Sequence, residues 1–177
     1  MLLVKVNKSG SRSNNNSYRE NNLIKLIQNL EYWSSYNLKD IIKLIRTRNR
    51  TVVPLLIKAL KDPCPNIRRG AARILGHRGE KDAVMPLIEC LNDPDEYVRA
   101  TAANSLKSLK DPRAVEALIK CLSDSPSAVR RSAAIALGSI SSSEAKEALE
   151  NAAINNPDLS VRKIAKVFLT RGPFINE

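Results

Sequence analysis

Asp62-Pro63-Cys64-Pro65-Asn66-Ile67-Arg68-Arg69-Gly70-Ala71-Ala72-Arg73-Ile74-Leu75-Gly76 is answered 31 residues later by Asp93-Pro94-Asp95-Glu96-Tyr97-Val98-Arg99-Ala100-Thr101-Ala102-Ala103-Asn104-Ser105-Leu106-Lys107. Carried on to Asn92 and Ser123, the two copies agree at 12 of 31 positions, including Ala83/Ala114, Val84/Val115, Leu87/Leu118, Ile88/Ile119, Cys90/Cys121 and Leu91/Leu122. A tandem period of this length is one supersecondary unit that cannot bury its apolar face alone, so neighbouring units must stack. The expected fold is all-α, a right-handed α-α superhelix of about four to five helical pairs.

Outward from that stretch the period continues. Arg68, Arg99 and Arg130 are 31 residues apart and Arg162 follows after 32, each six residues beyond Asp62, Asp93, Asp124 or Asn156. Ile67/Val98/Val129/Val161, Ala71/Ala102/Ala133/Ala165 and Leu75/Leu106/Leu137/Leu169 fall at i, i+4 and i+8 of a leading helix, which is one helical stripe. Pro65, Pro126 and Pro157 suit a first helical position, and Gly76 and Gly138 suit left-handed helix ends. A trailing helix repeats Leu56/Leu87/Leu118/Leu149 and Ile57/Ile88/Ile119, the latter column breaking at Glu150. A last helix, Asp158 to about Thr170, should cap the array, with Lys166 replacing the alanine of Ala72, Ala103 and Ala134.

Toward the N-terminus, residues 1–19 are polar and low in complexity and read as a disordered tail, before a repeat domain over residues 20–171 and a short tail at 172–177. Leu23, Ile24, Ile27 and Leu30 mark an amphipathic helix that covers the open end, and Leu38 to about Thr47 a second one. Tyr32, Trp33 and Tyr36 lie between them, either plugging the end of the core or offering a contact surface.

Composition narrows the class. The 43 % of apolar residues is carried mainly by Leu, Ile, Val and Ala, as interlocking helices require, and no apolar run nears the ~18 residues of a membrane span. Three cysteines without a Cys-x-x-Cys pair indicate neither a disulfide framework nor a zinc site and suit a reducing, cytoplasmic setting. Cys90 and Cys121 share a column with Ala59 and Ala152 and read as small core filler.

The net charge of +11 is concentrated at one end: residues 1–81 hold 17 Lys and Arg against 5 Asp and Glu, whereas residues 82–177 hold 12 against 13. Lys43, Arg46, Arg48, Arg50, Arg69, Arg73, Arg78 and Lys81 are therefore the candidate partner-binding residues, read either as a solvated basic face or as the seat of an anionic partner. Nucleic acid ranks last among such partners, because aromatic residues do not interleave with the basic ones. The trailing helices are expected to line the concave face, in a groove of mixed charge that turns acidic toward the C-terminus.

The pattern Asp-Pro-x-x-x-(Ile/Val)-Arg-x-x-Ala-Ala-x-x-Leu, a glycine-containing turn and Ala-Val-x-x-Leu-Ile-x-x-Leu resembles HEAT-like repeats, in the short form of the phycobilisome-lyase HEAT-like group, over roughly Thr51 to Leu169. That resemblance implies a protein-binding scaffold, as a phycobilisome-associated chaperone or a subunit of a lyase that attaches linear tetrapyrroles to phycobiliproteins. Its partners would be a phycobiliprotein subunit or a second HEAT-repeat subunit, with a bilin as transient ligand and no resident cofactor. The same resemblance admits a general adaptor without pigment chemistry. It also implies that the Asp-to-Arg ladder ties each loop to the next helix, setting register more than stability.

No catalytic or metal-binding residue is assigned. His77 is the single histidine, no His-Glu pair of the kind used by HEAT-repeat hydroxylases occurs, and there is no phosphate loop, nucleophile elbow or HExxH.

Overall fold

The computed structural model describes residues 51–174 continuously, together with residues 25–28, 43, 45 and 46. The expectations for residues 1–19, for Tyr32, Trp33 and Tyr36, and for Arg48 and Arg50 lie outside the described residues. Residues 25–28 are helical, with Ile27 in the core.

Eight α-helices follow: α1 (Val52–Ala59), α2 (Pro65–Arg78), α3 (Val84–Glu89), α4 (Glu96–Leu109), α5 (Val115–Cys121), α6 (Ser127–Ser139), α7 (Ser143–Asn155) and α8 (Leu159–Arg171). No strand occurs among the described residues. Odd-numbered helices are the trailing members of each unit and even-numbered ones the leading members. The result is an armadillo/HEAT-like solenoid of two helical layers around one continuous core.

The columns read from the period form that core. Leu56, Leu87, Leu118 and Leu149 of the trailing layer and Leu75, Leu106 and Leu137 of the leading layer are fully buried. Each such side chain contributes roughly 1.5–3 kcal/mol of hydrophobic stabilisation. Ala71, Ala102, Ala133 and Ala165 are also fully buried, and their small size lets the leading helices approach one another closely. Consecutive trailing helices stand apart instead, leaving clefts of about 430 Å3 between α3 and α5 and about 240 Å3 between α5 and α7.

Neighbouring leading helices therefore pack against one another more extensively than neighbouring trailing helices do.

The glycines differ from expectation. Gly76 and Gly138 lie within their helices and are buried, while left-handed backbone occurs later, at Gly79 (φ 69°) and at Lys110 (φ 51°). A Cβ on Gly76 would lie 2.5 Å from the Ser105 Cβ, and one on Gly138 would overlap the Phe168 ring, so both glycines serve close packing between leading helices. Of the three prolines, Pro65 opens α2, Pro126 is the residue before α6, and Pro157 precedes the Asp158 cap of α8.

The ladder sets the register of every unit. Arg68 Nε and Nη2 donate to both carboxylate oxygens of Asp93 at 2.7 and 2.8 Å, while its Nη1 donates to the carbonyls of Asp62 and Pro63. Arg99 repeats this with Asp124 and with the carbonyls of Asp93 and Pro94. At the third rung the carboxylate moves two residues on. Asp158 receives Arg130 at 2.9 and 2.6 Å, and Asn156 instead donates to the buried Leu122 carbonyl at 3.1 Å. Arg162 donates to the carbonyls of Asn156 and Pro157 in the same manner.

Arg68, Arg99 and Arg130 thus each grip their own loop and the start of the following unit, whereas the bonds of Arg162 hold its own loop. The side chains of the first pair are only 12 % and 7 % exposed, so these contacts are stronger than surface ion pairs. The hydrogen bonds to Asp93 and Asp124 also hold Arg68 and Arg99 more firmly protonated than a free guanidinium.

Candidate partner-binding face

The leading helices owe their exposed stripe to the same 3.6-residue geometry that buries their core. Ladder arginines occupy equivalent places on α2, α4, α6 and α8, so the residues immediately after them fall into one row: Arg69, Ala100, Arg131 and Lys163. One turn on lie Arg73, Asn104, Ile135 and Val167, and a further turn on His77, Ser108, Ser139 and Arg171.

Charge is partitioned between the layers. The four leading helices contain twelve Lys and Arg and a single carboxylate, Glu96, whereas α1, α3, α5 and α7 contain three Lys and five Glu. Four of the twelve are ladder arginines. The near-neutral C-terminal half of the sequence is therefore a basic leading layer and an acidic trailing layer that cancel in a count along the chain.

Between α2 and α4 this face opens into a cleft of about 270 Å3 lined by polar groups, among them Arg73, His77, Thr101, Asn104, Lys107 and Ser108, with no carboxylate in its wall. Asn104 is oriented by donating to the Ser132 hydroxyl at 3.1 Å, and the buried Ser105 hydroxyl donates to the Ala72 carbonyl at 2.9 Å, tying α4 to both neighbours. The Arg69 guanidinium stands over the exposed Tyr97 ring, 5.8 Å from its centroid, in a cation–π contact that spans α2 and α4.

The sequence-predicted residues separate into groups. Arg69 and Arg73 share the exposed stripe of α2. Lys43 and Arg46 are exposed, and Lys81 opens the exposed turn into α3. Arg78 has a different role: its side chain is only 10 % exposed, it pairs with Glu80 at 2.9 Å and it donates to the carbonyl of the helical residue Ile45 at 3.2 Å, fastening α2 to the chain ahead of α1. Arg131, Lys163 and Arg171 were missed because charge was summed along the chain. Counting it helix by helix would have found them.

The thiols take no part in this face. Cys90 and Cys121 are 6 % exposed, matching Ala59 at 7 % and Ala152 at 6 % in their column. Burial pushes both thiols up to about 11, so they stay protonated at neutral pH, as core filler does. Among the described residues, no group of three His, Cys, Asp or Glu side chains converges as a metal site, and no helix is long and apolar enough to cross a membrane.

Stacked helical pairs around one continuous core define an α-solenoid of repeats. The chain belongs to the HEAT-repeat family, whose pattern matches residues 24–93 and 84–169. Among solved structures it is similar to the complex of CpcE and CpcF of phycocyanin lyase from a Nostoc species, at 32 % identity and a TM-score of 0.62, covering 84 % of this chain and 65 % of that one. Human deoxyhypusine hydroxylase in complex with glycerol is similar at 28 % identity and a TM-score of 0.60, covering 71 % of this chain and 43 % of that one. A designed armadillo repeat protein in complex with the peptide (KR)4, at 19 % identity, a TM-score of 0.59 and coverage of 92 % and 86 %, shares the fold. This chain thus spans just under two thirds of the lyase chain and less than half of the hydroxylase. No curated protein sequence matches it.

Proposed function

We propose that this protein is a HEAT-repeat protein-binding scaffold that serves bilin attachment to phycobiliproteins, as a lyase subunit or as an associated chaperone. The observation that carries this reading is the 32 % identity to the phycocyanin lyase complex over 84 % of the chain. In that role the chain holds an apo-phycobiliprotein, or a second HEAT-repeat subunit, against the bilin as a transient ligand. It contributes rate through proximity and orientation and supplies no nucleophile of its own. Lys43, Arg46, Arg48, Arg50, Arg69, Arg73 and Lys81 form the basic end that attracts the acidic partner surface or the bilin propionates, while Arg78 braces α2 beneath them. The work of the scaffold is cytoplasmic, on protein rather than on nucleic acid or membrane.

Co-purification of the tagged protein from its own source, read by mass spectrometry and visible absorbance, tests this. Phycobiliprotein subunits with a bilin band are the expected result. Colourless partners without phycobiliprotein would overturn the pigment reading and leave an adaptor.

A further inference from the structure

We infer that the exposed face of the leading helices binds an extended acidic polypeptide segment that crosses all four of them. This inference rests on the protein-scaffold reading but not on pigment chemistry. Its basis is the partition of charge between layers, which extends the basic surface far beyond the N-terminal end.

Three features of the face fit such a ligand. Basic side chains recur in register on three of the four helices, as Arg69 and Arg73 on α2, Arg131 on α6, and Lys163 and Arg171 on α8. Arg131, Lys163 and Arg171 take no part in the ion pairs found among the described residues, so their charge is directed outward rather than at a neighbouring carboxylate. On α4, where the row holds Ala100, the cleft supplies Asn104, Thr101, Ser108 and Lys107 as hydrogen-bond donors instead. The absence of a carboxylate from that wall removes the group that would repel an acidic chain.

Spacing fits as well. Packed helices lie about 8–10 Å apart and an extended chain rises about 3.3 Å per residue, so each leading helix faces roughly three residues of a bound segment. A segment of about twelve residues would span the face, and a carboxylate every second or third residue would meet a basic or donor side chain on each helix.

The tethering of a polypeptide is favoured over a single-stranded nucleic acid by the aromatic content of the face. Base stacking requires repeated aromatic platforms, and Tyr97, already under Arg69, is the one exposed aromatic on these helices.

The test uses the full chain and a fluorescein-labelled twelve-residue peptide of alternating Glu and Ser, read by fluorescence anisotropy at physiological salt. A Gln/Ser peptide serves as the neutral control and a twelve-nucleotide oligo-dT as competitor. Binding of the Glu peptide is expected, at least tenfold tighter than the Gln peptide. The double variant Arg131→Glu, Lys163→Glu should weaken it at least tenfold, and Arg131→Gln, Lys163→Gln several-fold. The double variant Lys58→Glu, Lys120→Glu makes the same charge change on the trailing layer and should weaken it less than threefold.

Equal losses from the two layers would overturn the proposal in favour of net charge alone. Absence of binding, or displacement of the peptide by oligo-dT at lower concentration through the same residues, would also overturn it. Peptide binding in a protein that fails to retrieve phycobiliproteins would remove only the pigment reading.

Discussion

The two helical layers are written by one period, yet they differ in nearly every physical property. Leading helices carry alanine and glycine where they meet, pack closely and present basic stripes. Trailing helices carry leucine and isoleucine, stand apart over clefts and present a mixed, mildly acidic surface. The lesson is that helices written by one period can still divide by layer, both in how closely they pack and in the charge they present.

The sharpest way to break the comparison is to enlarge a leading-layer contact. Gly76→Val would drive a side chain into Ser105, including its Cα at 2.7 Å, and should cost about 3 kcal/mol by denaturant titration. Ala117→Val in the looser trailing layer should cost less than about 1 kcal/mol, and equal costs would remove the packing account.

Next in size is the ladder. Arg99→Ala leaves Asp124 and two loop carbonyls without their donor and should cost about 2 kcal/mol. Lys120→Ala, which opens the exposed trailing-layer pair with Glu116, should leave the thermal midpoint unchanged.

A smaller effect is expected in acid. Arg130, and then the Ser160 amide, hold the Asp158 carboxyl below the usual carboxylate range. A folded pKa below the unfolded one gives stability that is present above the unfolded value and lost as pH falls through the folded value. Melts of the Asp158→Asn variant should show a lower midpoint at neutral pH and a shallower decline toward acid than the parent; parallel curves would count against the coupling.

The smallest perturbation is chemical. A thiol reagent at pH 8 should label Cys64 alone in the native protein, with Cys90 and Cys121 reacting only after denaturation. Native labelling of all three would show that the core column opens.

Much of this was legible in the residues. Periodicity identified the columns from Ile67 to Leu169 and the last helix to within a residue, because burial repeats with the helical turn. The cysteine column was legible because alanine occupies the same place in sister units.

The partition of charge between layers was not legible, since it depends on which helices stand side by side, and a running count along the chain does not register that. The glycines misled for a related reason: a glycine near a helix end suggests a left-handed cap, but Gly76 and Gly138 answer to Ser105 and Phe168 on neighbouring helices. The ladder likewise reaches both ways: Arg68 and Arg99 donate to the carbonyl six residues back, as their spacing suggests, and to a carboxylate 25 residues ahead, which a reading within one unit does not find.

The ladder joint has a bearing on ancestry. Each unit presents an aspartate to its predecessor and an arginine to its successor, so a duplicated segment arrives with both halves of the fastening already matched. Arrays of this kind can lengthen or shorten in whole repeats without any compensating substitution at the seam. The terminal copy departs from the pattern, its carboxylate standing at Asp158 while Asn156 takes the earlier position.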